Sequence, residues 1–390
     1  MKILHTSDWH VGRTIRGRSR ADEHRAVLGE IAGIAHDEDV DLILVTGDQF
    51  DTAAPSPESE QIVYQALLDL AATGAHVVVL SGNHDNPRRW GAIRPLLELT
   101  NVHAAATVAR PDRGGVIDLP TRSGETARIA LLPFLSQRSI VQSEQLMQLD
   151  ADQHSGQYAG RMRSIISALT DEFGGDTVNI VAGHLTVASD QPVMGGGERM
   201  AHTIFDYFVP PAVFPSTAHY VALGHLHQAH RIPGPCPIWY CGSPMQLDFG
   251  EREREHKQVL IAEASPGVPA EVRAVDLTTG KRLRTVRGTV AELADRRDDL
   301  GDAYVRVVVE EKHRAGLADE VRDLLPSAVD VSVADPEERE REAEVWDLAA
   351  FQRSPIELFA EYLAEHDIED DALTVLFRDL LEDAHAADAT

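Results

Sequence analysis

Short apolar segments alternate with amphipathic segments over the first hundred residues, and this alternation most constrains the fold. The apolar segments KILHTSD (2–8), DLILVTGD (41–48) and HVVVLSGN (76–83) predict strands. Between them, helical periodicity runs through 21–38 and from 56 to 74. Strands that are apolar on both faces are typical of parallel sheets covered by other layers. The order β-α-β-α-β therefore predicts an α/β fold.

The chain divides into three predicted parts. Further strands at ARIALLPF, TVNIVAGHLT and HYVALGHLH carry the first part to residue 280, with a mobile loop predicted between Ser189 and Pro215. Alternating helical and strand segments predict a small α+β domain over 281–336. Residues 337–390 predict an acidic helical segment with a capping box that begins at Ser354. The two cysteines are read as small core residues.

Polar side chains that bind metals follow five of the predicted strands directly. In open α/β sheets, ligands bind at the carboxyl ends of the strands, so these side chains are expected to meet. Asp8 and His10 are two residues apart, and so are His225 and His227. This spacing places both side chains of each pair on one face of an extended segment. The predicted ligands are Asp8, His10, Asp48, Asn83, His184, His225 and His227.

Seven ligands are more than one cation needs, so the sequence predicts two divalent ions with Asp48 as the bridge. Imidazole, carboxylate and amide donors together favour Mn²⁺, Fe²⁺ or Zn²⁺ over Mg²⁺ and Ca²⁺. A metal-bound hydroxide is then the expected nucleophile for phosphodiester hydrolysis. His84 is predicted to act catalytically on the leaving oxygen or the transition-state charge. Asp85 is predicted either to orient His84 or to cap the next helix.

Net charge and hydropathy restrict the partners and the compartment. The chain of 390 residues has a net charge of −27, which argues against broad non-specific binding to nucleic acid. Residues 335–390 hold 18 acidic residues and 4 arginines, so a basic groove elsewhere stays compatible with the composition. No apolar run is long enough for a membrane span, and the first residues do not form a signal peptide. The expected location is the cytoplasm.

The motifs DWH, GD, GNHD, GH and GHLH resemble the calcineurin-like metallophosphoesterase superfamily. ILHTSDWHVG, GDQFDTAAPSP, YCGSPMQLDFGE and the late SPIELF resemble its SbcD and Mre-type nuclease branch over nearly the full length. The resemblance implies a four-layer α/β/β/α sandwich for 1–280, a capping domain and C-terminal helices that dock an SbcC-type coiled-coil ATPase. It also implies a homodimer, two manganese ions on the seven residues above, and His84 as the active-site histidine. Archaeal relatives carry a histidine where this chain has Asp51.

The implied activity is a double-strand 3′→5′ exonuclease and a single-strand or hairpin endonuclease that acts in DNA repair, recombination and replication. A small-molecule phosphodiesterase or phosphatase of the same superfamily is the alternative enzyme, and a non-catalytic scaffold is the alternative of another class. Four arginines follow the first ligand pair and are predicted to contact DNA phosphates, with a solvated loop as the other reading. They are Arg13, Arg16, Arg18 and Arg20.

Overall fold

The structure is a computed structural model, which describes residues 1–136, 158–187, 208–251 and 256–334 together with five isolated helical positions between 359 and 377. Most of the predicted loop at 189–215 and almost all of the acidic segment at 337–390, including its capping box, lie outside the described residues.

The described strands agree with the segments predicted from sequence and add several short ones. In chain order they are β1 (Lys2–Thr6), β2 (Thr14–Ile15), β3 (Arg18–Ser19), β4 (Leu42–Val45), β5 (His76–Leu80), β6 (Val102–Ala105), β7 (Val116–Pro120), β8 (Thr126–Leu132), β9 (Val178–His184), β10 (Thr186–Val187), β11 (Phe208–Val209), β12 (Tyr220–Gly224), β13 (His230–Ile232), β14 (Ile238–Tyr240), β15 (Gln258–Ser265), β16 (Val268–Asp276), β17 (Leu283–Gly288), β18 (Tyr304–Val309) and β19 (Ala328–Val333).

Three of the described helices begin at a residue whose side chain caps the first turn. The described helices are α1 (Ala21–Asp37), α2 (Pro57–Ala72), α3 (Pro87–Leu97), α4 (Tyr158–Thr170), α5 (Val290–Asp295) and α6 (Leu317–Leu324), with 3₁₀ turns at Glu98–Thr100, Pro111–Arg113, Pro211–Val213 and Arg297–Leu300. The side chain of Ser56 accepts a hydrogen bond from the backbone of Ser59, and Pro57 occupies the first helical turn of α2. Asn86 and Pro87 repeat this arrangement at the start of α3.

Two six-stranded sheets form the body of the molecule. The first has the order β16-β15-β1-β4-β5-β6, in which β1, β4, β5 and β6 run parallel. The second has the order β13-β14-β12-β9-β8-β7, in which β14, β12, β9 and β8 run parallel. Because the central strands are parallel, their carboxyl ends meet at one edge of each sheet.

Alternate side chains of each sheet enter different cores, which makes the body four layers deep. Leu4 and Ile43 pack with the apolar faces of α1 and α2, whereas Ile3 and Leu42 pack against the second sheet. The outer face of the second sheet packs against α4. This arrangement confirms the predicted α/β/β/α sandwich, because each strand alternates its side chains between two apolar layers.

The chain after residue 280 forms a small module with its own core. Strands β17, β18 and β19 pair in parallel, and α5 and α6 lie between them in sequence. Val305 and Val307 of the central strand are fully buried in that core. The module touches the sandwich through the hairpin of β2 and β3, where Arg16 Nε donates to Asp330 Oδ2 at 2.8 Å.

Among the residues that the structure describes, no helix has the length and apolar character required to cross a membrane.

Candidate metal centre

The predicted ligands lie in the loops that follow the carboxyl ends of the parallel strands. Asp8 and His10 follow β1, Asp48 follows β4 and Asn83 follows β5. In the second sheet His184 ends β9, whereas His225 and His227 follow β12. The two sheets thus bring all seven predicted residues to one end of the sandwich, although they come from five separate segments.

Four of these residues adopt a left-handed backbone conformation that side chains rarely take. The φ angles are +53° for Asp8, +47° for His10, +52° for Asp48 and +100° for His225. Residues held in such conformations cost about 1–3 kcal/mol each and concentrate at functional sites. The surrounding structure therefore holds these loops in place against a local preference for other conformations.

Glycines beside the ligands are required by close packing of the loops. A Cβ atom on Gly82 would overlap the carboxylate of Asp48, and one on Gly47 would overlap the imidazole of His184. A Cβ atom on Gly224 would overlap the carbonyl oxygen of Thr46. These three glycines therefore occupy positions where a side chain does not fit.

Within the described residues, histidine and aspartate side chains form three overlapping groups whose donor atoms lie within 4.8 Å of one another. The groups are Asp8, His10 and His227; His10, Asp48 and His84; and Asp48, His184 and His225.

One half of the centre is built around His10. Its Nε2 atom lies 3.1 Å from Nε2 of His227 and 3.8 Å from Oδ2 of Asp48. Asp8 is fully buried beside them, and its two carboxylate oxygens accept hydrogen bonds from the backbone of His225 at 3.0 and 3.1 Å. The two imidazoles therefore direct nitrogen atoms at a shared point.

The other half is built around Asn83. Its Oδ1 atom lies 2.9 Å from Nε2 of His184 and 2.9 Å from Nδ1 of His225. Nε2 of His184 also lies 3.4 Å from Oδ2 of Asp48. Oδ1 of Asp48 accepts a hydrogen bond from the backbone of His84 at 2.8 Å. The other carboxylate oxygen of Asp48, Oδ2, faces both halves of the centre, because it lies near His10 and near His184.

The donor set fits divalent cations. Metal–nitrogen bonds of about 2.0–2.1 Å place neighbouring ligand atoms about 2.8–3.0 Å apart in an octahedral shell and about 3.3–3.4 Å apart in a tetrahedral one. The separations around Asn83 and between His10 and His227 lie at or near these ranges, at 2.9 and 3.1 Å. Imidazole nitrogens, carboxylates and one amide oxygen are the ligands that transition-metal ions such as Mn²⁺ and Zn²⁺ accept.

Burial perturbs the ionisation of these groups in opposite directions. Burial raises the pKa of Asp8 to about 8, so this carboxyl needs a positive partner to ionise at neutral pH. Burial lowers the pKa of His10 to about 4, which keeps the imidazole neutral, as a metal ligand must be. For His184 the loss of solvent is outweighed by the Asp48 carboxylate, which raises the pKa of that imidazole to about 9. A cation held by His184 would take the place of a proton on this imidazole.

His84 lies at the rim of the centre and is partly exposed, as are Asn83 and Asp51 beside it, whereas His10 and Asp48 are buried. Its ring packs edge-on against that of His10, with centroids 4.8 Å apart. Its Nδ1 atom lies 2.9 Å from the backbone carbonyl oxygen of Asp51. This contact turns the opposite side of the imidazole away from the loop.

Neither role predicted for Asp85 matches its observed contacts. The carboxylate accepts hydrogen bonds from the backbones of Gly82 at 2.8 Å and Phe50 at 3.1 Å, so it joins two loops of the centre. Asn86, not Asp85, caps α3. The orienting contact observed for His84 comes from the carbonyl of Asp51. Asp85 is buried, and burial raises its pKa to about 6.

The four predicted DNA contacts separate into two kinds. Arg20 is buried and its guanidinium binds Glu23, so the prediction that it contacts DNA phosphates does not fit its position. Arg13 lies between Leu247 and Asp51, to which it donates at 3.3 and 3.2 Å. The exposed Arg16 and Arg18 lie on the β2–β3 hairpin.

Sequence reasoning missed two positioning contacts and one cap. The carbonyl oxygen of Thr46 lies 2.7 Å from Nδ1 of His184, and no side-chain pattern signals a backbone acceptor. The carboxylate of Asp51 reaches His10, at 3.4 Å between Oδ1 and Nδ1. The cap at Asn86 was accessible from sequence, because Asn86-Pro87 before α3 is the same kind of signal as Ser56-Pro57 before α2.

Two family models match parts of this chain. Residues 1–229 match the family model described as calcineurin-like phosphoesterase. Residues 279–367 match the model described as the type 5 capsule protein repressor C-terminal domain. Solved structures of a Thermus thermophilus protein and of a dimetal phosphatase from Danio rerio are only distantly similar, with TM-scores of 0.39 and 0.40 at 12% and 10% identity; the match covers 71% of this chain and 99% of each of those chains.

Curated relatives are considerably more similar. The SbcD subunit of the SbcCD nuclease of Bacillus subtilis is 36% identical over 73% of this chain and 71% of its own length. The SbcD subunit of Rhodobacter capsulatus is 34% identical over 70% and 69% of the two chains. The SbcD subunit of Escherichia coli is 30% identical over 75% and 72%. The chain therefore belongs to the SbcD family of nuclease subunits within the calcineurin-like phosphoesterases, a family of metal-dependent phosphodiester hydrolases.

Proposed function

We propose that this chain cleaves DNA as the nuclease subunit of an SbcCD-type complex, with two divalent cations, Mn²⁺ in particular, as its cofactor. The proposed activities are double-strand 3′→5′ exonuclease and single-strand or hairpin endonuclease, in DNA repair and recombination. Support comes from the SbcD subunits of known SbcCD nucleases, which align with about 70% of this chain.

The observation that carries this proposal is the placement of Asp48 between two sets of donors. Asp8, His10 and His227 would hold one cation, and Asn83, His184 and His225 the other, with Asp48 shared. Bound cations would supply positive charge to the phosphoryl oxygens and lower the pKa of the attacking water. Two carboxylates among the proposed ligands leave such a centre net positive, which favours a phosphodiester despite the acidic chain.

The protein's own groups would orient the substrate and move a proton. The Asp51 carbonyl accepts a hydrogen bond from Nδ1 of His84, so the Nε2 atom is the one that can face a bound phosphodiester. From the rim of the centre, a protonated His84 would donate to the leaving oxygen or hydrogen-bond to the phosphoryl group. Proton transfer of this kind contributes about 10²–10⁴-fold to a rate, which sets the expected effect of its removal.

The direct test uses the purified full chain, Mn²⁺ and linear duplex DNA, with bis(p-nitrophenyl) phosphate as a separate small phosphodiester. Duplexes labelled at the 3′ or the 5′ end report the polarity of digestion. We expect cleavage of DNA by the wild type and a loss of about 10²–10⁴-fold in His84→Ala. The matched control is His36→Ala, which removes an exposed imidazole near the end of α1.

Three outcomes would contradict parts of this proposal. Hydrolysis of the small ester alone, with and without an SbcC-type ATPase, would favour a small-molecule phosphodiesterase. Absence of cleavage and of bound Mn²⁺ would favour a non-catalytic scaffold. Equal activity of His84→Ala and His36→Ala would remove His84 from the mechanism.

Assembly is proposed to involve a coiled-coil ATPase and a second copy of this chain. The division into a nuclease domain (1–280), a capping domain (281–336) and an ATPase-docking segment (337–390) is part of this proposal. Exposed leucines on α2 and at the end of α3 support a homodimer: Leu68 is 40%, Leu96 67% and Leu99 81% exposed. Light scattering on Leu96→Glu should show a monomer, and an unchanged mass would exclude this surface.

The remaining parts of the proposal concern location and DNA contacts. We expect the protein in the cytoplasm, associated with the nucleoid, which fluorescence microscopy of a tagged chain would test. Arg16 and Arg18, exposed on the hairpin beside the centre, are proposed to contact phosphates. Replacing either arginine with alanine should reduce the slope of log K for DNA binding against log [salt] by about 1, because one fewer counterion is released. An unchanged salt slope would count against these contacts.

A further inference from the structure

Asp51 contacts both a proposed metal ligand and the proposed catalytic histidine. Its Oδ1 atom lies 3.4 Å from Nδ1 of His10 and accepts a hydrogen bond from Nη1 of Arg13 at 3.2 Å. Its backbone carbonyl lies 2.9 Å from Nδ1 of His84. Its own backbone nitrogen donates to the carbonyl oxygen of Val11 at 3.1 Å, which ties the loop after β4 to the loop after β1.

The carboxylate of Asp51 has a specific task at His10. The Nδ1 atom of this buried imidazole has no hydrogen bond of ideal geometry, and the Asp51 carboxylate is the acceptor that faces it. A proton on Nδ1 leaves the lone pair of the imidazole on Nε2, which points at His227 and Asp48. A carboxylate behind a ligating histidine selects this tautomer and raises the basicity of the ligand.

The carbonyl of Asp51 acts on His84 in the same sense. It accepts from Nδ1, so the imidazole of His84 also keeps its Nε2 atom on the side away from the loop. The rings of His10 and His84 are therefore held from one residue, at a mutual angle of 83°. The Asp51 carboxylate acts on the ring of His10, and the Asp51 main chain acts on the ring of His84. A substitution of the Asp51 side chain therefore removes the contact with His10 and keeps the contact with His84.

We propose that Asp51 is the positioning residue of the centre: its carboxylate sets the tautomer of His10 and thereby strengthens cation binding in the half formed by Asp8, His10 and His227. This inference rests on the proposed two-cation function. In the other half, the carbonyl of Thr46 accepts from Nδ1 of His184. A neutral acceptor contributed by the backbone is not removed by any side-chain substitution. Loss of the Asp51 carboxylate should therefore lower the affinity for only one of the two cations, the one held by Asp8, His10 and His227.

The test measures cation binding without DNA. Calorimetric titration of the purified full chain with Mn²⁺ is compared among the wild type, Asp51→Asn and Asp51→Ala. We expect Asp51→Ala to lower the affinity for one of the two Mn²⁺ ions by about 10–100-fold, while the affinity for the other changes by less than about threefold. Asp51→Asn, which keeps an acceptor but no charge, should fall between. Asp22→Asn removes the same charge from a side chain that is 103% exposed and should bind as the wild type does.

A second measurement reads the tautomer itself. Nitrogen-15 spectra of histidine-labelled protein, assigned with His10→Gln and His84→Gln, should show an Nδ1 proton on both rings in the wild type. Asp51→Ala should alter the His10 signal and leave that of His84, because the Asp51 carbonyl remains. Circular dichroism on each variant establishes that it is folded, and Asp51→Asn replaces Asp51→Ala if the latter is not.

The outcomes separate the two hypotheses. One outcome is that the wild type binds two Mn²⁺ ions while a folded Asp51→Ala binds both with the wild-type affinities. That result would overturn the role of Asp51 and leave the proposed function standing. An equal loss of affinity for both ions would also overturn the role of Asp51, because a general disturbance of the centre does not discriminate between its two halves. No Mn²⁺ bound to the wild type would overturn the proposed function, and this inference with it.

Discussion

Replacement of Arg20 by methionine should destabilise the junction between the sandwich and the C-terminal module. Arg20 Nε donates to Oε2 of Glu23 at 2.8 Å, and its other nitrogens bind Oε1 of Glu23 and the carbonyl of Gln246. The backbone nitrogen of Lys281, at the start of the module, donates to Oε1 of Glu23 at 2.8 Å. The pair therefore joins α1, the loop that contains Gln246 and the module.

The expected magnitude follows from burial. The side chains of Arg20 and Glu23 are 0% and 5% exposed. Removal of one partner from a buried ion pair costs about 3–5 kcal/mol, because the other charge stays buried without its partner. Arg20→Met keeps most of the aliphatic contact, and Glu23 keeps the hydrogen bond from Lys281. We therefore expect a loss near the lower end, about 3 kcal/mol.

Guanidinium unfolding followed by tryptophan fluorescence measures this loss, with Arg25→Met as the matched control. Arg25 lies on the same helix and pairs with Asp22 and Glu58, but its side chain is 43% exposed, so its removal should leave the midpoint close to that of the wild type. Combining Arg20→Met with Glu23→Gln should recover part of the loss, since no charge then remains buried. If Arg20→Met shifts the midpoint no more than Arg25→Met does, the reasoning from burial is wrong.

Three further predictions concern the centre and the sandwich beneath it. Gly82→Ala should lower DNA cleavage by about 100-fold or more in a chain with native circular dichroism, because the new Cβ displaces the Asp48 carboxylate; full activity would contradict the packing. Burial lowers the pKa of His5 to about 3, so unfolding free energy should decrease as the pH falls from about 6.5 to 3, less steeply in His5→Gln than in the wild type; identical slopes would refute this. Chelation of cations present at about 100 times their dissociation constant should remove about 2.7 kcal/mol of stability, measured by calorimetry, and an unchanged melting temperature would argue against bound cations.

The α/β class of the fold and the proposed ligands were accessible from sequence because both depend on local signals, whereas the four-layer arrangement was implied by the family resemblance. Strand ends, helix periods and the Ser56-Pro57 cap are visible within a few residues, and the parallel order of strands then places the residues that follow them together. Asp8, Asp48 and Asn83 could therefore be grouped without knowledge of any distance.

What could not be predicted depends on contacts between distant segments. Arg20 looked like a member of an exposed basic run, yet it is buried because α1 and the later module close over it. Asp85 could not be assigned because its hydrogen-bond partners include the backbone of Phe50, which is 35 residues away. The role of Asp51 required the relative positions of three loops.

The β2–β3 hairpin has a mechanical consequence. It starts at Thr14, four residues after His10, and its Arg16 binds Asp330 of the C-terminal module. Four residues span at most about 14 Å when fully extended, and here a turn between His10 and Arg13 shortens the connection further. A tether this short has little slack. A rotation of the module against the sandwich would therefore displace, through this hairpin, the segment that carries His10, in addition to loading the contact between Lys281 and Glu23.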